Sequence, residues 1–263
     1  MTYLISDITI INYILFLLII IQSILGIGIL VLGTPILLFF NLGLPEALSI
    51  LLPISILTSF FNILKFAIFN NPKNLKDNYF TNIFLDKKIK INFYLICLPS
   101  LFLGLILLKL FENFVNFKIV VSMLIILSLS IKIKFEKKIK YLSDFKNKFI
   151  FLIIGIVHGL TNSGGTILSL FLSTLNKSFK NESRINITYF YLLLASVQYG
   201  IFLILFNFYL KLNWLITVIL FTIVGSIFGN ILIKFINENL LKKTIEIMAL
   251  IAAIVLLYNG IFI

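Results

Sequence analysis

Cysteine, histidine and tryptophan each occur once in 263 residues, and Asp and Glu together only 10 times. The lone Cys97 excludes an internal disulfide, a cysteine-built metal site and a two-thiol relay, and its apolar surroundings mark it as a packing residue. One histidine, His158, and no acid near the middle of any apolar run leave metal and paired-carboxylate chemistry without ligands. Glu46, Glu112, Glu182, Glu238 and Glu246 all sit at the ends of runs or in connections. No metal and no cofactor is expected. The first 25 residues contain no Lys or Arg and no small-residue cleavage pattern, so a removable signal peptide is not expected.

What the chain has in excess is apolar length. Hydrophobic residues make up 60% of it, more than one water-soluble core could hide, so it is read as an integral membrane protein with the lipid bilayer as a partner. The 22 basic residues lie in connections between apolar runs, not on an amphipathic face or among stacking aromatics, and no nucleic acid is expected. Their work there is to hold loops at an anionic leaflet and fix orientation.

A helix needs about 20 apolar residues to cross a bilayer. Six runs read as ordinary spans: 45–68, 91–110, 117–133, 184–207, 213–233 and 243–262. Two are interrupted, 9–41 by "GIGILVLGTP" and 149–176 by "HGLTNSGG". The expected fold is all-α and polytopic, with two repeats, 1–140 and 141–263, each holding one broken element and three helices. An offset of 136 residues sets Gly28 on Gly164, Gln22 on His158 and Asn62 on Gln198.

Lysine placement separates two topologies, because positive residues collect in cytoplasmic loops. If both broken elements cross fully, 65–90, 132–148 and 211 share a side with 14 of the 22 cations. If both dip in and return, 65–90, 132–148, 177–184 and 234–243 share a side with 19, leaving Lys109, Lys118 and Lys211 opposite. The second, more lopsided arrangement is the expectation. It puts the Lys-rich loops in the cytoplasm, both termini outside, and makes the repeats inverted, a plan shared by many secondary transporters of the cell membrane.

Backbone broken at membrane depth survives only against protein or a watery cavity. Free N–H groups at such a bend, followed by a helix N-terminus, favour an anion. In the first break Thr34 and Pro35 read as N-cap and first helical residue, with a restart nearer Gly28 and a kink at Pro35 as the alternative. The donors available are the amides of Gly26, Gly28, Gly159, Gly164 and Gly165, the hydroxyls of Ser23, Thr34, Thr161, Ser163 and Thr166, the amides of Gln22 and Asn162, and His158. This inventory suits a small anionic solute. His158 is open between a role in the pathway and a hydrogen bond that settles the break. Thr58, Ser59, Asn62, Ser196 and Gln198, on the following helices, read as helix-to-helix hydrogen bonders behind the site. Two other readings stand beside transport. One is an intramembrane enzyme using Ser163 or Ser169 with His158 as base. The other is a non-transporting assembly partner. Self-association into a homo-oligomer is left open.

Gly26, Gly28, Pro35, Leu37 and the turn Gly43-Leu44-Pro45 in the first half, and Gly155, Gly159, Gly164 and Gly165 in the second, are laid out over the whole chain. With this duplicated small-residue break, G-x-G-G-G-x-x-x-x-P in its fuller form, the chain resembles the sulfite exporter TauE/SafE family. Ile29 and Leu30 stand in place of two glycines of the first motif, and Asn162, Thr166 and Phe171 in place of two glycines and the proline of the second. The resemblance implies transport of a sulfur-containing or organic anion: sulfite, a sulfonate or a small carboxylate.

Overall fold

A computed structural model describes residues 5–25, 29–69, 87–135, 144–175, 180–208, 212–233, 235 and 238–262. They form helices α1 (Ile5–Leu25), α2 (Ile29–Phe39), α3 (Leu44–Phe69), α4 (Lys87–Asn92), α5 (Leu98–Phe111), α6 (Phe117–Phe135), α7 (Asp144–Thr161), α8 (Gly164–Leu175), α9 (Lys180–Phe206), α10 (Leu212–Leu232) and α11 (Glu238–Phe262). Among these residues there is no strand, and the all-helical, polytopic architecture expected above is what is found. By length and composition Leu44–Lys65, Lys87–Phe111 and Ile185–Phe206 are long and apolar enough to cross a membrane. Five shorter apolar stretches join them: Ile10–Leu25, Phe117–Ser130, Lys148–Thr161, Ile216–Leu232 and Glu246–Phe262.

The second of these spans joins α4 to α5 through one π turn, Phe93–Cys97. Pro99 has no N–H to give and would clash with the carbonyl one turn back, so the ladder shifts and Leu98 N–H reaches Phe93 O.

Both broken elements fold back on themselves. A β-carbon on Gly164 would lie 2.4 Å from Ile154 O, so α8 starts alongside the penultimate turns of α7 and does not continue its axis. In the first half a β-carbon on Gly33 would lie 2.6 Å from Leu51 and 3.3 Å from Leu18, which lays α2 between α1 and α3. The first break also corrects one sequence expectation. Helix α2 begins at Ile29, so Thr34 is a buried residue inside it and not its N-cap, and Pro35 is intrahelical. The restart nearer Gly28, given above as the alternative, agrees with this helix start, because α2 is placed by its packing on α1 and α3 and not by a cap at Thr34.

Helix directions follow from glycine contacts. Gly155 backs onto Cys97 and Ser100, and Gly159 onto Leu101 and Leu105, so α7 runs parallel to α5. Gly225 backs onto Phe16 and Ile19, and Gly229 onto Ile20 and Ser23, so α10 runs parallel to α1. Chain reversal at each turn then makes α1 antiparallel to α7. The start of α6 meets the end of α11, where Asn116 Nδ2 donates to Gly260 O at 3.0 Å. Lys109 donates to Leu205 O, and Lys118 Nζ donates to Asn41 Oδ1 at 2.7 Å. These bonds bring 40–43, 112–116, the end of α9 and the end of α11 to one face. Had α7 and α8 crossed as one span, the ends of α5 and α9 would lie on opposite faces. In a Cys97→Ser background, cysteines at Asn116 and Asn207, both exposed, should react with an impermeant thiol reagent added to the same side, and one at Lys87 with reagent added to the other.

Candidate functional site

Asn162 makes the second break. It takes φ 65°, the left-handed region that asparagine tolerates best after glycine, and so occupies the position just past the end of α7. Its N–H bonds His158 O at 2.8 Å, a one-bond left-handed cap. Gln198 Nε2, from α9, donates to the same carbonyl at 3.1 Å. Ser163 then precedes Gly164, the first residue of α8; the Thr166 N–H is bonded to Ser163 O at 3.2 Å, and the amides of Gly164 and Gly165 have no partner within the helix.

Hydrogen-bond accounting shows which candidate donors stay available. Thr161 donates to Val157 O at 2.9 Å, so in its 2.7 Å contact with Ser163 the serine is the donor. Thr166 donates to Ser163 O at 2.7 Å, and Ser169 to Thr166 O at 2.9 Å. These hydroxyl protons are committed to the turn itself. Five buried atoms around it make no hydrogen bond: Nδ1 and Nε2 of His158, Asn162 Oδ1, Gln198 Oε1 and the hydroxyl of Tyr191. His158 therefore pairs with neither Ser163 nor Ser169, and a serine–histidine dyad has no support. Asn162 Nδ2 lies 3.4 Å from Thr34 Oγ1, so α2 and α8, the two returning helices, meet at this polar point.

Tyr191 was not visible as a site residue in the sequence. The ring lies 5.9 Å from the His158 ring at 70°, and a β-carbon on Gly165 would fall 2.1 Å from Tyr191 Cε2 and 2.3 Å from its oxygen. Gly165 is thus glycine because the phenol crosses the first turn of α8. One signal could have found Tyr191: it stands as far after His158 as Ser55 stands after Gln22. In the first half that spacing is also a contact, with Gln22 Nε2 donating to Ser55 O at 3.1 Å, Ser55 Oγ at 3.3 Å and Ser59 Oγ at 3.0 Å. Ser23 donates to Ser226 Oγ at 3.2 Å. Asn62 accepts from Asn230 at 3.4 Å.

Other sequence candidates are placed elsewhere. The α-carbon of Gly159 faces α5, where a β-carbon would lie 2.2 Å from Leu101 O, and Gly164 faces α7. Both are close-packing glycines of the type that lets membrane helices touch backbone to backbone. Thr58 donates to Ile54 O at 2.7 Å in its own helix. Ser196 is exposed on the outer side of α9, and Pro35 is buried in α2. Gly26 and Gly28 lie outside the described residues.

No curated protein and no solved structure matches the chain. One family model does, from residue 13 to residue 256, and it takes in all or most of every helix named above. By that match across nearly its whole length the chain belongs to the sulfite exporter TauE/SafE family.

Proposed function

We propose that this membrane transporter moves one small sulfur-containing or organic anion at a time, held where α8 begins. The observation that carries the reading is the set of buried, unbonded polar atoms of His158, Asn162, Tyr191 and Gln198 gathered around the opening amides of α8. A tight turn that needed only internal satisfaction would leave none of them unmatched, because each unpaired buried group costs about 1–3 kcal/mol. An oxyanion takes donors from the α8 amides, an imidazole N–H, the phenol O–H and the Asn162 amide, whose two edges exchange by a half-turn that brings its N–H₂ to the site. Gln198 fixes the His158 carbonyl and thereby the end of α7.

The movement we propose is alternating access between two inverted repeats. Its support is the exchange of partners between the halves: α5 lies on α7 as α10 lies on α1, α2 on α11 as α8 on α6, and α3 on α9. The proposed orientation puts the lysine-bearing segments 65–90, 132–148, 177–184 and 234–243 on the cytoplasmic side, on the strength of their 19 cations, and 40–43 and 112–116 outside. Purified protein in vesicles, offered a panel of sulfite, sulfonates and small carboxylates, should move at least one of them at a rate well above protein-free vesicles. No movement of any of them under any imposed gradient would sink the reading.

A further inference from the structure

An anion taken into a buried site must have its charge offset, since even after relaxation a desolvated ion is penalised by several kcal/mol. Lysine or arginine would be the usual answer. Here, among the described side chains, every lysine is exposed or half-buried, and His158 is the single buried residue able to gain a positive charge. Neither ring nitrogen is committed to a hydrogen bond. A neutral imidazole keeps one N–H and one lone pair, so it can accept a proton here without breaking an existing contact.

We infer that His158 takes up a proton as the anion enters and gives it up as the anion leaves, so that a monovalent anion crosses with no net charge. This rests on the anion-site reading above. At the loading face water delivers the proton to the free imidazole nitrogen, and the new N–H donates to an anion oxygen. At the opposite face the anion departs and the same proton returns to water. No electrons move and nothing else is consumed. The Tyr191 ring lies edge-on to the imidazole, 5.9 Å between centroids, with its unbonded phenol in the same buried group.

The surroundings offer few rival carriers. Helix α9 brings the Tyr191 phenol and the neutral Gln198 amide, and α8 and α2 bring no titratable side chain. The π turn and α5 bring Cys97 and Ser100 to the glycine face of α7 at Gly155, away from the turn. On α6 Lys118 is bound to Asn41 at the outer face, and on α4 the side chains of Lys87, Lys88 and Lys90 are exposed or half-buried.

Vesicles containing the whole protein, offered methanesulfonate and, in parallel, sulfite, test this by setting a pH gradient against a potassium diffusion potential. Methanesulfonate has no proton of its own to carry near neutral pH. The expected result is accumulation that follows the pH gradient, approaching about tenfold per pH unit for one proton per anion, and ignores the potential. His158→Gln should reverse this, leaving uptake driven by the potential. Tyr191→Phe should keep the coupling. Wild-type uptake that follows the potential and ignores the pH gradient overturns the inference, as does coupling that survives in His158→Gln or disappears in Tyr191→Phe. If His158→Gln fails to fold, the wild-type response and the phenylalanine variant decide. Failure of both anions to move under any gradient overturns the anion-site reading itself, a result distinct from movement without a proton.

Discussion

Leucine at Gly155 leaves no folded protein in detergent, while leucine at Gly200 leaves yield and elution unchanged. The contrast follows from what each side chain meets. At Gly155 a single β-carbon would already lie 1.9 Å from Ser100 Oγ and 2.2 Å from Cys97 O, so α5 and α7 must part along their contact. Backbone gives way far less than a side chain does. Gly104, whose β-carbon would lie 2.4 Å from Ile156 O, closes the same seam from the other helix. At Gly200, exposed on α9, nothing stands within 4 Å. Substituting leucine at Gly225 should do less harm than at Gly155, because its nearest obstacle is the Ile19 side chain at 2.6 Å, which can rotate. Overpacking of the yielding kind costs about 1–3 kcal/mol, and the backbone collision exceeds it. Size-exclusion yield of tagged variants ranks them, and a normal monodisperse peak from Gly155→Leu would contradict the close seam.

Those glycines also show where reading the sequence succeeds and stops. The helices at 45–68, 91–110 and 117–133, and the break at 158–165, were legible because a long apolar run and its interruption are one-dimensional signals. Fold-back was an expectation drawn from the bias of lysines to one side, and the contact of Gly164 with Ile154 and His158 agrees with it for the second element. Which face of a helix turns inward was not. In a membrane helix the lipid side and the protein side are both apolar, so no periodicity distinguishes Ser196, which faces out, from Gln198, which faces in. The same blindness made Gly159 look like a ligand contact when its neighbour is the backbone of α5. Tyr191 was hidden for another reason: a tyrosine among Phe and Leu passes as bulk until its oxygen is seen beside Gly165. The first break was misread at Thr34 because a capping dipeptide is a local signal, whereas Ile29 and the helix after it are placed by packing on α1 and α3.

Asn162→Gly folds at least as well as the natural protein yet loses most of its transport, and this pair of results separates the two tasks of the residue. Its backbone needs the left-handed region at φ 65°, where glycine sits without strain and alanine costs about 1–2 kcal/mol. Its amide reaches Thr34 on α2 and, with its two edges exchanged, offers its N–H₂ to the proposed anion. Glycine keeps the first property and deletes the second. A hydrogen bond to a charged group is worth about 1.5–3 kcal/mol, so affinity for the transported anion should fall by about 10- to 100-fold. Asn162→Ala should lose both, with a lower melting temperature added to the weaker binding. Thermal unfolding in detergent measures the first quantity and the concentration dependence of anion uptake the second. Unchanged uptake in the glycine variant would mean that the Asn162 side chain only ties α2 to the turn, and the anion would then have to be held by His158, Tyr191 and the opening amides of α8 without it.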